Sequence, residues 1–342
     1  MDNKDQRGIL TFLKRILNPK IELHRDAAPG GPVSNLSEKL QAEFCKSLLS
    51  DMKHQKDTET LNGLYEAVIV SFVFNHERIE GNQLSEVQTA EIFETRSTTL
   101  SDETTPSNVR ETANHTLMFD YIVDHTDDVL SCDLIKGMHQ SLMTGVMESA
   151  GNWKRIPNGV GTIVTARPED VPVAMDNLVS HYLTAKPSVE NICRLHARFE
   201  QIHPFPDGNG RVGRGIVFKE CIKAGIVPFI VTDSTKYQYY ESLKKAQTTG
   251  EFSDLVAYAE DRQLEFISQA LPLMTDKDLV EKIRYQIPEL NQVEADWSDN
   301  PFGRASSYEA PDGLDDLETQ ATASSRAIET SSKTVKSTQQ EI

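Results

Sequence analysis

The sequence predicts an all-α protein, a helical bundle that carries one small β-hairpin and ends in a disordered C-terminal tail. Three observations carry that prediction. Apolar residues recur at spacings of three and four on both sides of residues 153–166. One β-branched run, Val160-Gly161-Thr162-Ile163-Val164-Thr165, interrupts the helical period. Beyond Trp297 the chain turns to Ser, Thr, Asp, Glu, Gln and Gly, too poor in large apolar residues to bury a core.

Taken in order, residues 1–35 form an N-terminal arm, weakly amphipathic and closed by the breaker cluster Ala28-Pro29-Gly30-Gly31-Pro32, which reads as a hinge. The helical domain spans 36–295, and 296–342 form the tail. Leu61, Leu64, Val68 and Phe72 give the first apolar stripe, and Leu117, Tyr121 and Ile122 repeat it. Asn158-Gly159 after Pro157 marks a tight turn at the β-branched run. Pro168 and Pro172 mark the start of a helix running through Met175, Leu178 and Tyr182. Ile192, Leu195, Phe199 and Ile202 stripe another, which ends at His203 because Pro204 pushes the preceding residue out of the α region.

The 342 residues hold 35 Lys and Arg against 52 Asp and Glu, a formal net charge of −17, so nucleic acid is not an expected partner. Cys45, Cys132, Cys193 and Cys221 stand far apart without a CxxC pair, which argues against a zinc knuckle or a disulfide scaffold and for a reducing compartment. The stretch Ile9 to Ile16 is broken by Lys14 and Arg15, too polar for a signal peptide, and no run is long enough for a membrane span. A soluble cytoplasmic protein is expected.

The chemistry concentrates in His203-Pro204-Phe205-Pro206-Asp207-Gly208-Asn209-Gly210-Arg211-Val212-Gly213-Arg214. Two prolines and Asp-Gly-Asn-Gly make a rigid turn, after which Ile216, Val217 and Cys221 restore helical spacing, so the loop feeds a helix N-terminus. Such a terminus offers unpaired N–H groups and partial positive charge, and glycine lets an anion approach the backbone. A phosphate chain suits it. Arg211 and Arg214, three apart on one helix face, can both fork onto phosphate oxygens. Asp207 supplies a hard oxygen ligand, better matched to Mg²⁺ than to zinc, and His203 is the group of the loop that can take a proton near neutral pH.

Three other motif readings fail on context. Gly208, Gly210 and Gly213 satisfy GxGxxG, but a helix rather than a strand precedes them. No GxxxxGK[ST] occurs. His76-Glu77-Arg78-Ile79-Glu80 places a glutamate where a zincin needs its second histidine.

Segment 203–214 resembles the signature loop of the Fic family of nucleotidyl transferases, HPFx(D/E)GNGRxxR, without a mismatch. The similarity extends to Leu195-His196 and Phe199, to Gly151-Asn152-Trp153-Lys154-Arg155 with the 156–166 segment where the family has its flap, and to Ile79-Glu80-Gly81-Asn82. It covers about residues 60–260. The resemblance implies an all-α domain that moves AMP from Mg-ATP to a protein hydroxyl on Ser, Thr or Tyr. By that resemblance His203 is the general base and Asp207 binds Mg²⁺. Gly208, Asn209 and Gly210 form the anion hole, and Arg211 and Arg214 hold the outer phosphates. Glycine at 208, where kinase-like relatives carry lysine, favours AMP over phosphate transfer.

Glu80 lies at the end of a helix, where an acid opposes the dipole by up to about 1 kcal/mol, so a tertiary partner is expected. The segment resembles the family's inhibitory motif [S/T]xxxE[G/N], which implies that Glu80 pairs with Arg214 and displaces the γ-phosphate; His76 departs from the Ser/Thr of that motif. The bland reading leaves Glu80 solvated. His196, beside Leu195 and Phe199, reads as a core histidine. The expected partners are ATP and a protein substrate, the chain itself included, and a homo-oligomer is compatible with this reading. Transfer of UMP or phosphocholine, removal of AMP, and a non-catalytic binding role are the alternatives on the same scaffold.

Overall fold

The computed structural model describes residues 32–95, 106–160 and 163–291; the tail expected at 296–342 and residues 1–31 of the expected arm lie outside the described residues. Pro32–Asn35 form a 3₁₀ turn whose Val33 is already buried in the core. Glu38–Asp57 (α1) opens at Ser37, whose hydroxyl accepts from the Leu40 N–H. Leu64–Ile79 (α2), Glu86–Thr95 (α3), Pro106–Asp124 (α4) and Cys132–Met143 (α5) complete the first half. After the hairpin come Val171–Thr184 (α6), Val189–Ile202 (α7), Asn209–Lys223 (α8), Lys236–Thr249 (α9), Ser253–Ala270 (α10) and Lys277–Gln286 (α11).

Helix α8 is the axis of the bundle. It is buried along nearly its whole length, with α7, α5, α4 and α1 packed against it. Val212, Ile216, Phe218 and Ile222 meet Phe72, Phe119 and Met138 in one apolar core. A helix buried on all sides must also pair its charges. Arg211, Arg214 and Lys219 are each at most 3% exposed, and each has a carboxylate partner. No helix among the described residues is long and apolar enough to cross a membrane. Cys45, Cys132, Cys193 and Cys221 are free thiols.

Three local expectations are corrected. Leu61 precedes α2 and is 57% exposed, so that helix takes its buried face from Leu64, Val68 and Phe72. Leu117 is 47% exposed because α4 buries Met118, Phe119, Ile122 and Val123, so of the expected stripe Ile122 is buried and Tyr121 packs at the edge of the core while Leu117 faces out. The expected hairpin is present, but Asn158-Gly159 is not its turn, since Gly159 already belongs to the first strand. Gly159–Val160 (β1) pairs antiparallel with Ile163–Val164 (β2), Gly159 opposite Val164 and Val160 opposite Ile163. Asn158 is diverted from a turn by its side chain, which donates to the Phe205 carbonyl (2.8 Å) and thus ties the hairpin to the loop after α7.

Candidate functional site

The expected site residues converge where α7 hands over to α8. α7 ends at His203, whose N–H donates to the Phe199 carbonyl (2.8 Å) and whose backbone turns left-handed at φ 50°, ψ 61°. A non-glycine residue at positive φ is uncommon and costs strain that the surroundings must offset. The side chain of Asn209 provides part of that support. Its Oδ1 accepts from the Phe205 N–H (2.8 Å) and its Nδ2 donates to the Phe205 carbonyl (2.9 Å), so the side chain braces the loop and leaves only its backbone amide for an anion.

His139 holds the loop from α5. Its Nε2–H donates to the Asp207 carbonyl (3.2 Å), its Nδ1 accepts from the Gly151 N–H (2.9 Å), and its ring stacks on Phe205 at 3.8 Å. That pair of contacts requires the neutral ring, and burial lowers its pKa to about 4. Gly208 sits at φ 73° as the N-cap of α8, and a Cβ there would meet Met143 Cε at 2.6 Å. The N-terminal amides of α8 thereby remain open to a ligand.

Asp207 is the exposed member of the group, its side chain 69% accessible, with Oδ1 accepting from the Gly208 N–H (2.6 Å). His203 Nδ1 lies 3.7 Å from Glu200 Oε2, a residue one turn back on α7. Burial pushes the Glu200 pKa up, but His203, His196 and Arg214 outweigh it, so the carboxyl is held below its ordinary value.

Both arginines face carboxylates. Arg214 Nη2 donates to Glu80 Oε1 (2.7 Å) and reaches the His76 carbonyl (3.4 Å). α2 ends in a Schellman turn, with Gly81 N–H bonded to the Arg78 carbonyl and Asn82 N–H to the Glu77 carbonyl, which sets Glu80 at the C-cap. The Glu80 carboxylate lies across the mouth of α8: a Cβ on Gly210 would meet Glu80 Oε1 at 2.6 Å. Arg211 Nη1 donates to Glu77 Oε1 (3.1 Å) and Glu111 Oε2 (3.0 Å).

The sequence reading brought together His203, Asp207, Gly208, Asn209, Gly210, Arg211, Arg214 and Glu80, and the structure gathers all eight. The sequence reading marks Glu77 only as an acid in the last turn of its helix, with no role in the site, and does not find Glu111, His115, His139 or Glu200. Only Glu200, three residues before His203 on a helix, had a local signal. His76 lies buried with neither ring nitrogen hydrogen-bonded, packed edge-on against Phe72 at 4.1 Å; it fastens α2 as an aromatic group. His196 is a core histidine bonded through Nε2 to Tyr239 (2.5 Å).

The flap is tied to the site by Lys154. This side chain is 2% exposed and donates to Asn158 Oδ1 (2.6 Å), Thr165 Oγ1 (3.0 Å) and the Ile202 carbonyl (3.2 Å). Burial lowers its pKa to about 8. Lys154→Met keeps the aliphatic stem but removes three hydrogen bonds from a buried site, and is expected to lower stability by about 2–3 kcal/mol. A urea midpoint unchanged from wild type at equal m-value would refute this role.

Residues 129–219 match the family model described as Fic/DOC family. The chain is 28% identical over 232 residues to protein adenylyltransferase Fic of Drosophila mojavensis, covering 66% of this chain and 44% of that protein. It is 25% identical over 241 residues to protein adenylyltransferase fic-1 of Caenorhabditis elegans, covering 66% and 46%. The chain thus spans about half the length of the curated relatives it matches. In fold it is similar to a Fic domain containing signaling protein from Bacteroides thetaiotaomicron (TM-score 0.52, 22% identity, 74% of this chain and 98% of that one). It is likewise similar to a Fic-1 fragment from C. elegans (TM-score 0.53, 21% identity, 75% and 73%).

Proposed function

We propose that this chain, whose residues 129–219 match the Fic/DOC family model, transfers AMP from Mg-ATP to a hydroxyl side chain of a protein, the chain itself included. One observation carries the reading: His203, Asp207, the open N-terminus of α8 and two arginines are set around one mouth, and a carboxylate lies where an anion would sit. In this reading the Glu200 carboxylate, 3.7 Å from Nδ1 of His203, favours a positive charge on the ring as the imidazole takes the proton of the attacking hydroxyl. The α8 amides receive the α-phosphate, and Arg211 and Arg214 hold the outer phosphates. Flanking the domain, the arm of 1–35 and the tail of 296–342 belong to the same reading, as does a cytoplasmic setting.

Mg²⁺ fits this donor set. Asp207 offers an exposed carboxylate with one oxygen free of the loop, and no group of three or more His, Cys, Asp or Glu among the described residues holds a metal alone. The remaining ligands are then phosphates and water, the usual habit of Mg²⁺. When bound, the ion neutralises charge on the phosphates. Asp207→Ala is expected to remove activity together with its response to Mg²⁺, because the loop 203–214 holds no second carboxylate to replace the ligand. Full activity that still follows a Mg²⁺ titration would show that Asp207 is not the ligand.

The deciding experiment is mass spectrometry of wild-type and Glu80→Gly protein after Mg-ATP incubation, with labelled UTP and CDP-choline in parallel. Added AMP is the expected result. Label from UTP or CDP-choline with none from ATP would overturn the reading.

A further inference from the structure

Glu77 and Glu80 are three residues apart at the end of α2, yet they meet Arg211 and Arg214 in different ways. Glu77 is 3% exposed and fixed on every side: Arg211 Nη1 at 3.1 Å, His115 Nδ1 at 2.8 Å and Asn82 Nδ2 at 3.1 Å, with Asn82 in turn donating to Thr112 Oγ1 (3.1 Å). Burial pushes its pKa up, but Arg211, His115 and Asn82 outweigh that and hold it at about 2. Glu111 shares the same Arg211 nitrogen at 3.0 Å, but its side chain is 26% exposed and its other hydrogen bond is from the Ser107 hydroxyl (2.9 Å). Arg211 Nη2 stands 4.0 Å from Asp207, on the side of the expected metal and phosphates.

We infer that Glu77 is a positioning residue that aims Arg211 at the outer phosphates of the nucleotide, and that Glu111 is the carboxylate those phosphates displace. The inference rests on the AMP-transfer reading. One guanidinium faces Glu77, Glu111 and Asp207, so an arriving phosphate chain meets an excess of negative charge and must move one of them. Glu77 cannot leave without stranding a buried charge. Glu111 can turn to solvent at little cost. Two acids on one helix end therefore act with opposite sign: Glu80 restrains the site, and Glu77 builds it.

The test is calorimetric titration of the full chain with Mg-ATP and, separately, AMP, using Glu80→Gly as the parent. Glu77→Gln is expected to weaken ATP binding at least about tenfold while AMP changes less than about threefold, a selectivity that general loosening of the fold would not alter. Glu111→Gln is expected to tighten ATP by about threefold or more and leave AMP unchanged. An unchanged ATP-to-AMP ratio in Glu77→Gln, or ATP binding unchanged or weaker in Glu111→Gln, overturns the assignment. Should Glu77→Gln lose its helical circular dichroism, the surface variant Glu111→Gln decides alone. A parent that binds ATP but adds no AMP to protein overturns the transfer reading and leaves Arg211's positioning intact; a parent that binds no ATP overturns both.

Discussion

Replacing His203 with alanine is expected to cut AMP transfer by about 10²–10⁴-fold while leaving the affinity for Mg-ATP within about threefold of wild type. The separation follows from where the groups sit. The amides that receive phosphate belong to α8, the guanidiniums to Arg211 and Arg214, and the loop is braced by Asn209 on Phe205 and by His139 on Asp207. None of these contacts uses the His203 ring, which meets Glu200 at 3.7 Å. Alanine at φ 50° carries the same backbone strain as histidine there, so folding should survive, and calorimetry can confirm ATP binding before rates are compared. Transfer at near wild-type rate would remove His203 from the mechanism.

How the sequence foretells such a site depends on whether its parts are local. The loop 203–214 is local: prolines, glycines and charges within twelve residues dictate a turn into a helix, and α7 does stop at His203 as Pro204 requires. The end of α2 is local too, since Gly81 closes it through a Schellman turn. Glu77 is different. On sequence it is one more acid at a helix end, while its partners His115 and Arg211 are 38 and 134 residues away. His139 is equally silent, because its neutral tautomer is set by Gly151 and Asp207 from two other segments. The turn of the hairpin is misplaced in the sequence reading for a related reason. Asn158-Gly159 has the composition of a turn, but the Asn158 amide forms a tertiary bond to Phe205, and a long-range contact overrides local preference.

Glu80→Gly is expected to raise transfer, onto the chain or a target, by at least about tenfold, equivalent to roughly 1.4 kcal/mol in barrier. One guanidinium cannot pair fully with a carboxylate at 2.7 Å and with a phosphate at the same time. With Glu80 lying against Gly210 at the mouth of α8, the outer phosphates must settle elsewhere, and the α-phosphate is then misaligned for the attacking hydroxyl. Glycine at position 80 removes that competitor, and because Glu80 is only the C-cap, α2 keeps its Schellman turn and its Glu77 network. Arg214 is buried and loses its carboxylate in the variant, so the unliganded protein should melt below wild type and gain more from Mg-ATP than wild type does. The two readouts are independent, one kinetic and one thermal. Equal transfer rates across a range of ATP concentrations, with both proteins folded, would show that the Glu80–Arg214 pair is structural and not a brake; the assignment of His203 and Asp207 does not depend on it.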